Sequence, residues 1–227
     1  MSIINYTELK RIKIPDSSLR RISRYYRTIN HLLETGVRSV TSSELAEVNG
    51  TCSALVRKDL SYFGCFGRRG IGYNVGRLKS VLASILGLDR KWGVVVIGTA
   101  RYSYALMNLL PLKSKTFNIV KIYDKNPDKL KGIPGGIRIL HIDTLESTLD
   151  PNQDKIVIIA IPSPDLQGII NRLARIGIKA VLYMASKTVK IPDDMEIINQ
   201  DISVELGMLT YRLNVKGGRL FQTQHRK

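Results

Sequence analysis

Short runs rich in Val and Ile alternate with stretches of helical period across the second half of this chain, and this alternation most constrains the fold. The predicted strands lie at 93–97, 118–123, 138–140, 155–161 and 180–184, with helices from residue 102 and over 166–176. Strands that are apolar on both faces and joined by helices are typical of a parallel, doubly wound sheet. Residues 91–202 are therefore predicted to form an α/β domain of Rossmann type.

The first of these strands ends in an incomplete phosphate-binding fingerprint. Gly98 stands at the first glycine of the pattern G-x-G-x-x-G, but Ala100 and Ser103 replace the second and third. The second glycine lets a pyrophosphate approach the backbone closely, so the methyl group of Ala100 opposes binding. Arg101 favours binding, because the free amides of a helix N-terminus already attract phosphate there. These residues leave open whether the turn binds NAD(H), another nucleotide or no ligand.

Asp124 ends the second strand, where Rossmann folds place the acid that binds the ribose hydroxyls. A carboxylate there favours NAD(H) over its 2′-phosphorylated form, because it accepts both hydroxyls and repels a phosphate. The alternative is that Asp124 only caps a turn with Asn126 and Pro127. The three histidines have no ligand-like spacing, and this half of the chain shows no paired nucleophile and base. The sequence thus predicts no metal site and no catalytic group, which disfavours a nucleotide-dependent oxidoreductase.

Residues 1–90 carry the pattern of a winged helix-turn-helix. A first helix begins at Pro15 and ends at Gly36, with an apolar face predicted at Leu19, Ile22, Tyr26, Ile29 and Leu33. The segment T-S-S-E at 41–44 is a capping box that opens a short second helix, and an Asn-Gly turn leads into a third helix over 52–62. A further helix over 75–86 precedes a domain boundary at 89–91.

The third helix is predicted to read DNA. Val56, Leu60 and Phe63 form its inward face, so adjacent Arg57 and Lys58 can enter a major groove. Asp59, beside these cations, is expected to orient an arginine or cap a neighbouring element. The next segment, GCFGRRGIGY, has glycines for turns and arginines for phosphates, as a wing requires. The predicted DNA-binding residues are Ser53, Arg57, Lys58, Tyr62, Arg68, Arg69 and Tyr73.

The charge distribution favours a polyanionic partner. The formal net charge is +16 at pH 7, which suits DNA or an anionic membrane surface. Residues 1–90 hold 15 Lys and Arg against 7 Asp and Glu, whereas residues 91–211 hold 15 against 12. Two cysteines are too few for a disulfide framework, and no apolar run has membrane length. We therefore expect a cytoplasmic protein with no membrane partner.

The C-terminal segment is predicted to be an apolar helix followed by a basic tail. Residues 203–214 contain Val204, Leu206, Met208, Leu209 and Leu213, and residues 215–227 form the tail. Such a helix either folds back on its own domain or is exchanged between two subunits. The residues alone do not choose between these arrangements.

Several motifs in a fixed order resemble one protein family. The segments RKDLSYFG, RRGIGYNV and ILGLDRKW are followed by KIYDKNPDKLKG, AIPSPDLQ, RIGIKAVLYMAS and NQDISVEL. In these motifs, over about residues 14–214, the chain resembles the Rex family of bacterial redox-sensing transcriptional repressors. The resemblance implies a homodimer with an N-terminal winged helix, a Rossmann domain and a C-terminal helix exchanged between subunits. It also implies operator binding when NADH is scarce relative to NAD, and release of DNA when NADH binds.

The resemblance further assigns individual residues. It places Arg57 and Lys58 in the recognition helix, and it matches Arg27 and Asp201 to positions that couple the two domains across subunits. The implied NAD(H)-binding residues are Gly98, Thr99, Ala100, Arg101, Tyr102, Asp124, Lys129 and Pro162. The family usually has N-F-A-P beside the nicotinamide, where this chain has Y-M-A-S at 183–186. A Rex-like DNA-binding protein that has lost NADH sensing is therefore the alternative within the family.

Overall fold

The computed structural model describes residues 14–64, 67, 71–98, 116–130, 137–160 and 165–216. The chain divides into two compact units, Met1–Arg90 and Lys91–Lys227.

The first unit contains four helices and a two-stranded sheet in its described residues. The elements are α1 (Asp16–Glu34), β1 (Ser39–Val40), α2 (Ser42–Val48), α3 (Ser53–Ser61), β2 (Tyr73–Asn74) and α4 (Val75–Ile85). β1 and β2 are antiparallel, with Val40 opposite Tyr73. Gly72, just before β2, has φ +85°, and a Cβ there would lie 2.5 Å from the Val40 carbonyl oxygen. Only glycine meets both requirements, so the return strand of the winged helix closes tightly on β1.

The buried face of α1 differs from the predicted one. Ile22, Tyr25 and Ile29 are fully buried, whereas Leu19 and Leu33 are 36% and 40% exposed. Tyr26 only packs at the edge of the core. The face is rotated because the Tyr25 hydroxyl reaches a buried carboxylate on α3, 34 residues away in the chain, and so satisfies its polar group inside the core.

The second unit is a six-stranded parallel sheet with helices. Its elements are β3 (Trp92–Ile97), β4 (Phe117–Asp124), β5 (Arg138–His141), α5 (Leu145–Thr148), β6 (Ile156–Ile159), α6 (Leu166–Ile176), β7 (Ala180–Tyr183), β8 (Glu196–Asn199) and α7 (Ile202–Lys216), with 3-10 turns at Pro127–Leu130 and Ile142–Thr144. The strand order is β5-β4-β3-β6-β7-β8, and every neighbouring pair is parallel. This is the doubly wound Rossmann order, so the predicted α/β fold is confirmed.

Both faces of this sheet are buried, which explains its near-continuous apolar strands. Val95, Ile97 and Ile159 pack with Ile170 of α6 on one face, and Val94, Val96, Ile122 and Ile158 form the other. The predictions made from the sequence did not include β8 or the short helix α5. β8 lies at the sheet edge with a single neighbour, and three of its four residues are exposed, so it lacks the long apolar run of a central strand.

The C-terminal helix α7 is apolar and exposed. Every side chain described from Ile202 to Val215 is exposed, and its large apolar residues are between 45% and 69% exposed. The helix therefore does not fold back on the described part of its own unit, which was one of the two predicted arrangements. Within the part of the chain that the structure describes, no helix is long and apolar enough to span a membrane.

Candidate DNA-binding surface and nucleotide crevice

A reciprocal capping box starts the helix-turn-helix. The Thr41 hydroxyl accepts the Glu44 N–H at 3.1 Å, and the Glu44 carboxylate accepts the Thr41 N–H at 2.7 Å. The backbone and hydroxyl donors of Thr41 hold the pKa of Glu44 below its usual range. These bonds satisfy free amides at the start of α2 and fix the point where it leaves β1.

The next helix, α3, presents two adjacent cations to solvent. Val56 and Leu60 are buried in the core of the unit, whereas Arg57 and Lys58 are exposed. Arg57 Nη1 donates to Ser42 Oγ at 3.1 Å. The guanidinium is thus held beside the first residue of α2, on the solvent side of the helix-turn-helix.

Asp59 lies beneath these cations in a buried polar network. The carboxylate is fully buried and accepts two hydrogen bonds from Arg21, Nε to Oδ2 and Nη2 to Oδ1, each at 2.7 Å. The Tyr25 hydroxyl donates to Oδ2 at 3.0 Å. Burial alone would raise the pKa of Asp59, but hydrogen bonds from Arg21, Ser18 and Tyr25 hold it below its usual range. Burial and the bond to Asp59 raise the pKa of Tyr25 to about 12. The expectation that Asp59 orients an arginine is confirmed.

The other predicted DNA contacts lie in different surroundings. Ser53 begins α3 and is partly exposed, and Tyr62, just after the helix, is half-buried against the core. Tyr73 is 8% exposed and belongs to that core. Pairing of β2 with β1 turns the ring of Tyr73 inward, and its predicted DNA contact stays a prediction. Arg68 and Arg69 lie outside the described residues.

The two residues that the family resemblance assigns to domain coupling lie on α1 and at the start of α7. Arg27 is exposed on α1. Asp201 directly precedes α7, and its Oδ1 accepts the Ser203 N–H at 2.9 Å, the Ser203 hydroxyl at 2.7 Å and the Ser186 hydroxyl at 3.1 Å. These bonds lower the pKa of Asp201, and the bonds from Ser203 have the largest effect. The carboxylate is the N-cap of the exposed helix.

The nucleotide crevice is placed by the strand order. From β3 the chain builds the sheet outward through β4 and β5 on one side, and it then crosses to β6, β7 and β8 on the other side. The strand order therefore reverses between β3 and β6. Open α/β sheets bind ligands at such a point, just beyond the carboxyl ends of the strands. Gly98 N–H donates to the Tyr123 carbonyl at 3.0 Å, and Ala160 N–H donates to the Ile97 carbonyl at 2.9 Å. A Cβ on Gly98 would lie 3.3 Å from Ala160 Cβ. Glycine thus lets the two strand ends close together under the crevice.

Asp124 lies at the same edge of the sheet, at the end of β4. Its Oδ1 accepts the Asn126 N–H at 2.7 Å, so the predicted turn cap is present. The same carboxylate stands at the strand end where Rossmann folds bind ribose. The two roles are compatible because a carboxylate has two acceptor oxygens.

Several predicted ligand residues lie outside the described residues, namely Thr99, Ala100, Arg101, Tyr102 and Pro162, and so does Ser103 of the fingerprint. The Lys129 backbone lies in the 3-10 turn after β4. Tyr183, which replaces Asn of the usual N-F-A-P, points into the core at 4% exposure, and its hydroxyl donates to the Lys187 carbonyl at 2.9 Å.

Sequence reasoning missed Arg21, Tyr25, Ser42 and Ser186. Arg21 and Tyr25 lie 38 and 34 residues before their partner Asp59. The one signal available was Asp59 itself, a carboxylate among apolar inward positions that requires a donor from elsewhere in the chain.

Two family models match the two units. "Putative DNA-binding protein N-terminus" covers residues 13–61, and "CoA binding domain" covers residues 89–187. The redox-sensing transcriptional repressor Rex of Desulfitobacterium hafniense is 35% identical over 208 residues, which are 92% of this chain and 99% of that protein. Rex 1 of Thermotoga maritima is 37% identical over 88% of this chain and 96% of its own length. The chain belongs to the Rex family.

Solved structures of RSP, a Rex-family repressor, share the fold of this chain over 91% of its length. RSP in complex with β-NAD+ and operator DNA is 33% identical, with a TM-score of 0.81 over 91% of this chain and 95% of RSP. RSP in complex with β-NADH is 32% identical, with a TM-score of 0.80. The Rex relatives are redox-sensing transcriptional repressors.

Proposed function

We propose that this chain is a cytoplasmic, dimeric Rex-type repressor whose affinity for operator DNA falls as the ratio of NADH to NAD rises. The observation that carries the proposal is the exposed pair Arg57 and Lys58 on α3, next to the fully buried Asp59 that pairs with Arg21, in a chain that matches a repressor bound to operator DNA along 91% of its length. In this proposal residues 1–90 bind DNA, residues 91–202 bind the dinucleotide, residues 203–214 form the dimerisation helix and residues 215–227 are a basic tail.

The DNA reader is α3 with the wing that follows it. Arg57 and Lys58 contact base edges in the major groove, with Ser53 and Tyr62 at the two ends of the helix. Arg68 and Arg69 of the wing contact phosphates. Phosphate contacts hold the protein on any duplex, whereas the base contacts of α3 select the operator.

The dinucleotide is held at the crevice between β3 and β6. Gly98 keeps the strand ends close, and Asp124 accepts the ribose hydroxyls, which favours NAD(H) over its phosphorylated form. The remaining contacts of this site are assigned by the family resemblance to Thr99, Ala100, Arg101, Tyr102, Lys129 and Pro162. The dinucleotide acts as a signal, and no group of this chain is proposed to catalyse a reaction.

Dimerisation through α7 is supported by its exposure. An isolated apolar helix of 15 residues is marginal in water, and its apolar side chains require a covering surface. Exchange of the helix between two subunits supplies that surface. Arg27 and Asp201 then couple the DNA-binding unit of one subunit to the nucleotide-binding unit of the other.

A second candidate function is a Rex-like repressor that no longer senses NADH. The residues that favour it are Ala100 and Ser103 in the fingerprint. It shares the DNA-binding half of the proposal and differs only in its response to the dinucleotide.

One titration separates these functions. A duplex is first enriched from a random-sequence library by the native protein, and its binding is followed by fluorescence anisotropy while NADH, NAD or NADPH is added. Release by NADH, with little effect of NAD or NADPH, supports the sensor. Unchanged binding with all three ligands supports the second candidate, and failure to enrich any sequence contradicts both.

The variant Asp201→Asn tests, in the same titration, whether Asp201 couples the two domains. Asn is an N-cap as good as Asp, so α7 is retained while the negative charge of the proposed coupling residue is lost. We expect the variant to bind the operator as a dimer but to respond less to NADH. A native response in Asp201→Asn would contradict the coupling role.

A further inference from the structure

Asp59 is a buried carboxylate whose side-chain partners all lie on another helix. Arg21 donates both bonds of a planar fork at 2.7 Å, and Tyr25 adds a third bond at 3.0 Å. Arg21 also donates to Ser18 at 3.1 Å. The network thus joins two turns of α1 to the last turn of the nine-residue helix α3.

Stability alone does not account for a fully buried carboxylate paired with an arginine whose side chain is 24% exposed. Burying the charge of Asp59 carries a desolvation penalty that offsets much of its attraction to Arg21, and an apolar residue of similar volume often stabilises a core as well or better. A forked Arg–carboxylate pair differs from apolar packing in one respect, because its two parallel hydrogen bonds demand one relative orientation. Val56 and Leu60 bury α3, but apolar contacts are not directional.

The orientation of α3 matters because Arg57 and Lys58 directly precede Asp59. A rotation of the helix by about 20° would move an atom ~6 Å from its axis by about 2 Å. Such a shift breaks a hydrogen bond to a base edge, which tolerates only a few tenths of an ångström. A long cationic side chain can still reach a phosphate after the same shift, because that attraction depends weakly on geometry.

We propose that the Arg21–Asp59 pair, with Tyr25, fixes the rotation of α3 and so determines how sharply the protein distinguishes its operator from other DNA. Arg21 and Asp59 are positioning residues that act through Arg57 and Lys58. This inference rests on the proposed function, since it requires α3 to be the recognition helix.

The test compares Arg21→Lys with Arg20→Lys in the full-length protein. Both changes keep the charge of α1, but only Arg21→Lys removes the planar fork, because lysine is a point donor. Arg20 is exposed and makes no contact in the described network. The dissociation constants for the library-enriched operator and for a random duplex of equal length are measured across a salt series.

For Arg21→Lys we expect the ratio of operator to random affinity to fall about tenfold, as loss of one well-made base contact would give. The affinity for random DNA and its log–log salt slope should match the native values, because the phosphate contacts are unchanged. Arg20→Lys should keep the native ratio. An unchanged ratio in Arg21→Lys, or equal weakening of both duplexes, would overturn the proposal.

Tyr25→Phe serves as the second variant if thermal melts show that Arg21→Lys is unfolded. It keeps the ion pair and loses one hydrogen bond, and a smaller fall in the same ratio is expected. A native ratio in folded Tyr25→Phe would then overturn the proposal. If the native protein enriches no sequence from the library, the proposed function itself is contradicted. That outcome differs from a native ratio in a variant, which contradicts only the positioning role of Arg21 and Asp59.

Discussion

On the solvent-exposed side of α3, Arg57 donates a hydrogen bond to Ser42 at 3.1 Å, which in the proposed function a base edge replaces without loss of a buried contact. Replacement of Arg57 with Ala should weaken binding to the enriched operator by about 1–3 kcal/mol more than binding to random DNA, the cost of one good base contact. Anisotropy titrations on both duplexes measure this difference. Lys155→Ala, an exposed cation of the other unit, is the control. Equal weakening of both duplexes would make Arg57 a phosphate contact.

Ala100 carries the corresponding prediction for the ligand. Its methyl group stands where the fingerprint needs a glycine for close approach of the pyrophosphate. NADH should therefore bind weakly to the native chain and more tightly to Ala100→Gly, as measured by calorimetry. Heat from neither protein would mean that the crevice has lost NADH through more than one residue, and only the DNA-binding half of the proposal would stand.

At the scale of elements, an ion pair stabilises the short helix α5 against the longer helix α6. α5 has four residues, far too few to be stable alone. Glu146 of α5 accepts two hydrogen bonds from Arg172 of α6, whose Nη2 also donates to the Ile142 carbonyl at 3.0 Å. The bond from Arg172 lowers the pKa of Glu146 from an ordinary 4.5 to about 2.

The pH dependence follows from the direction of this shift. Because the folded pKa lies below the unfolded one, the pair contributes its full stability above pH 4.5 and loses it as the pH falls toward about 2. The side chain of Glu146 is 49% exposed, so solvent screens the pair and the contribution is small.

Urea unfolding of native protein and Glu146→Gln at about pH 6 and about pH 3 measures the Glu146 contribution. The stability difference between the two proteins should be larger at the higher pH. Glu47→Gln, exposed on α2, should show no such change. A difference for Glu146→Gln that is independent of pH would contradict the assignment.

At the scale of the whole molecule, α7 is the element whose apolar side chains the described residues of its own unit leave exposed. Because its described side chains contribute nothing to the core clusters of the second unit, a chain ending at residue 202 should still fold. It should be monomeric, and binding to a palindromic operator should fall sharply, since two linked half-sites bind far more tightly than one. Light scattering of both chains tests this, and a dimer of the shortened chain would contradict the role of α7.

Features that depend on near neighbours were predictable from the sequence. The capping box at Thr41 and Glu44 and the inward positions of α3 follow from contacts three to four residues apart. The alternation of strands and helices predicted the Rossmann sheet, because strands buried on both faces must be apolar throughout. The motifs around Arg57 and Asp124 supplied the family and, with it, the proposed ligands.

Features that depend on distant partners could not be predicted without the packed structure. The sequence indicated that Asp59 pairs with an arginine, but it did not identify that arginine as Arg21. The choice among the arginines of α1 depends on how that helix packs against α3. The inward turn of Tyr73 depends on the pairing of β2 with β1, and the exposure of α7 depends on the absence of a groove for it among the described residues of its own unit. Local hydrogen bonds and side-chain period act over one helical turn, whereas docking of elements is set by the shape of the whole core.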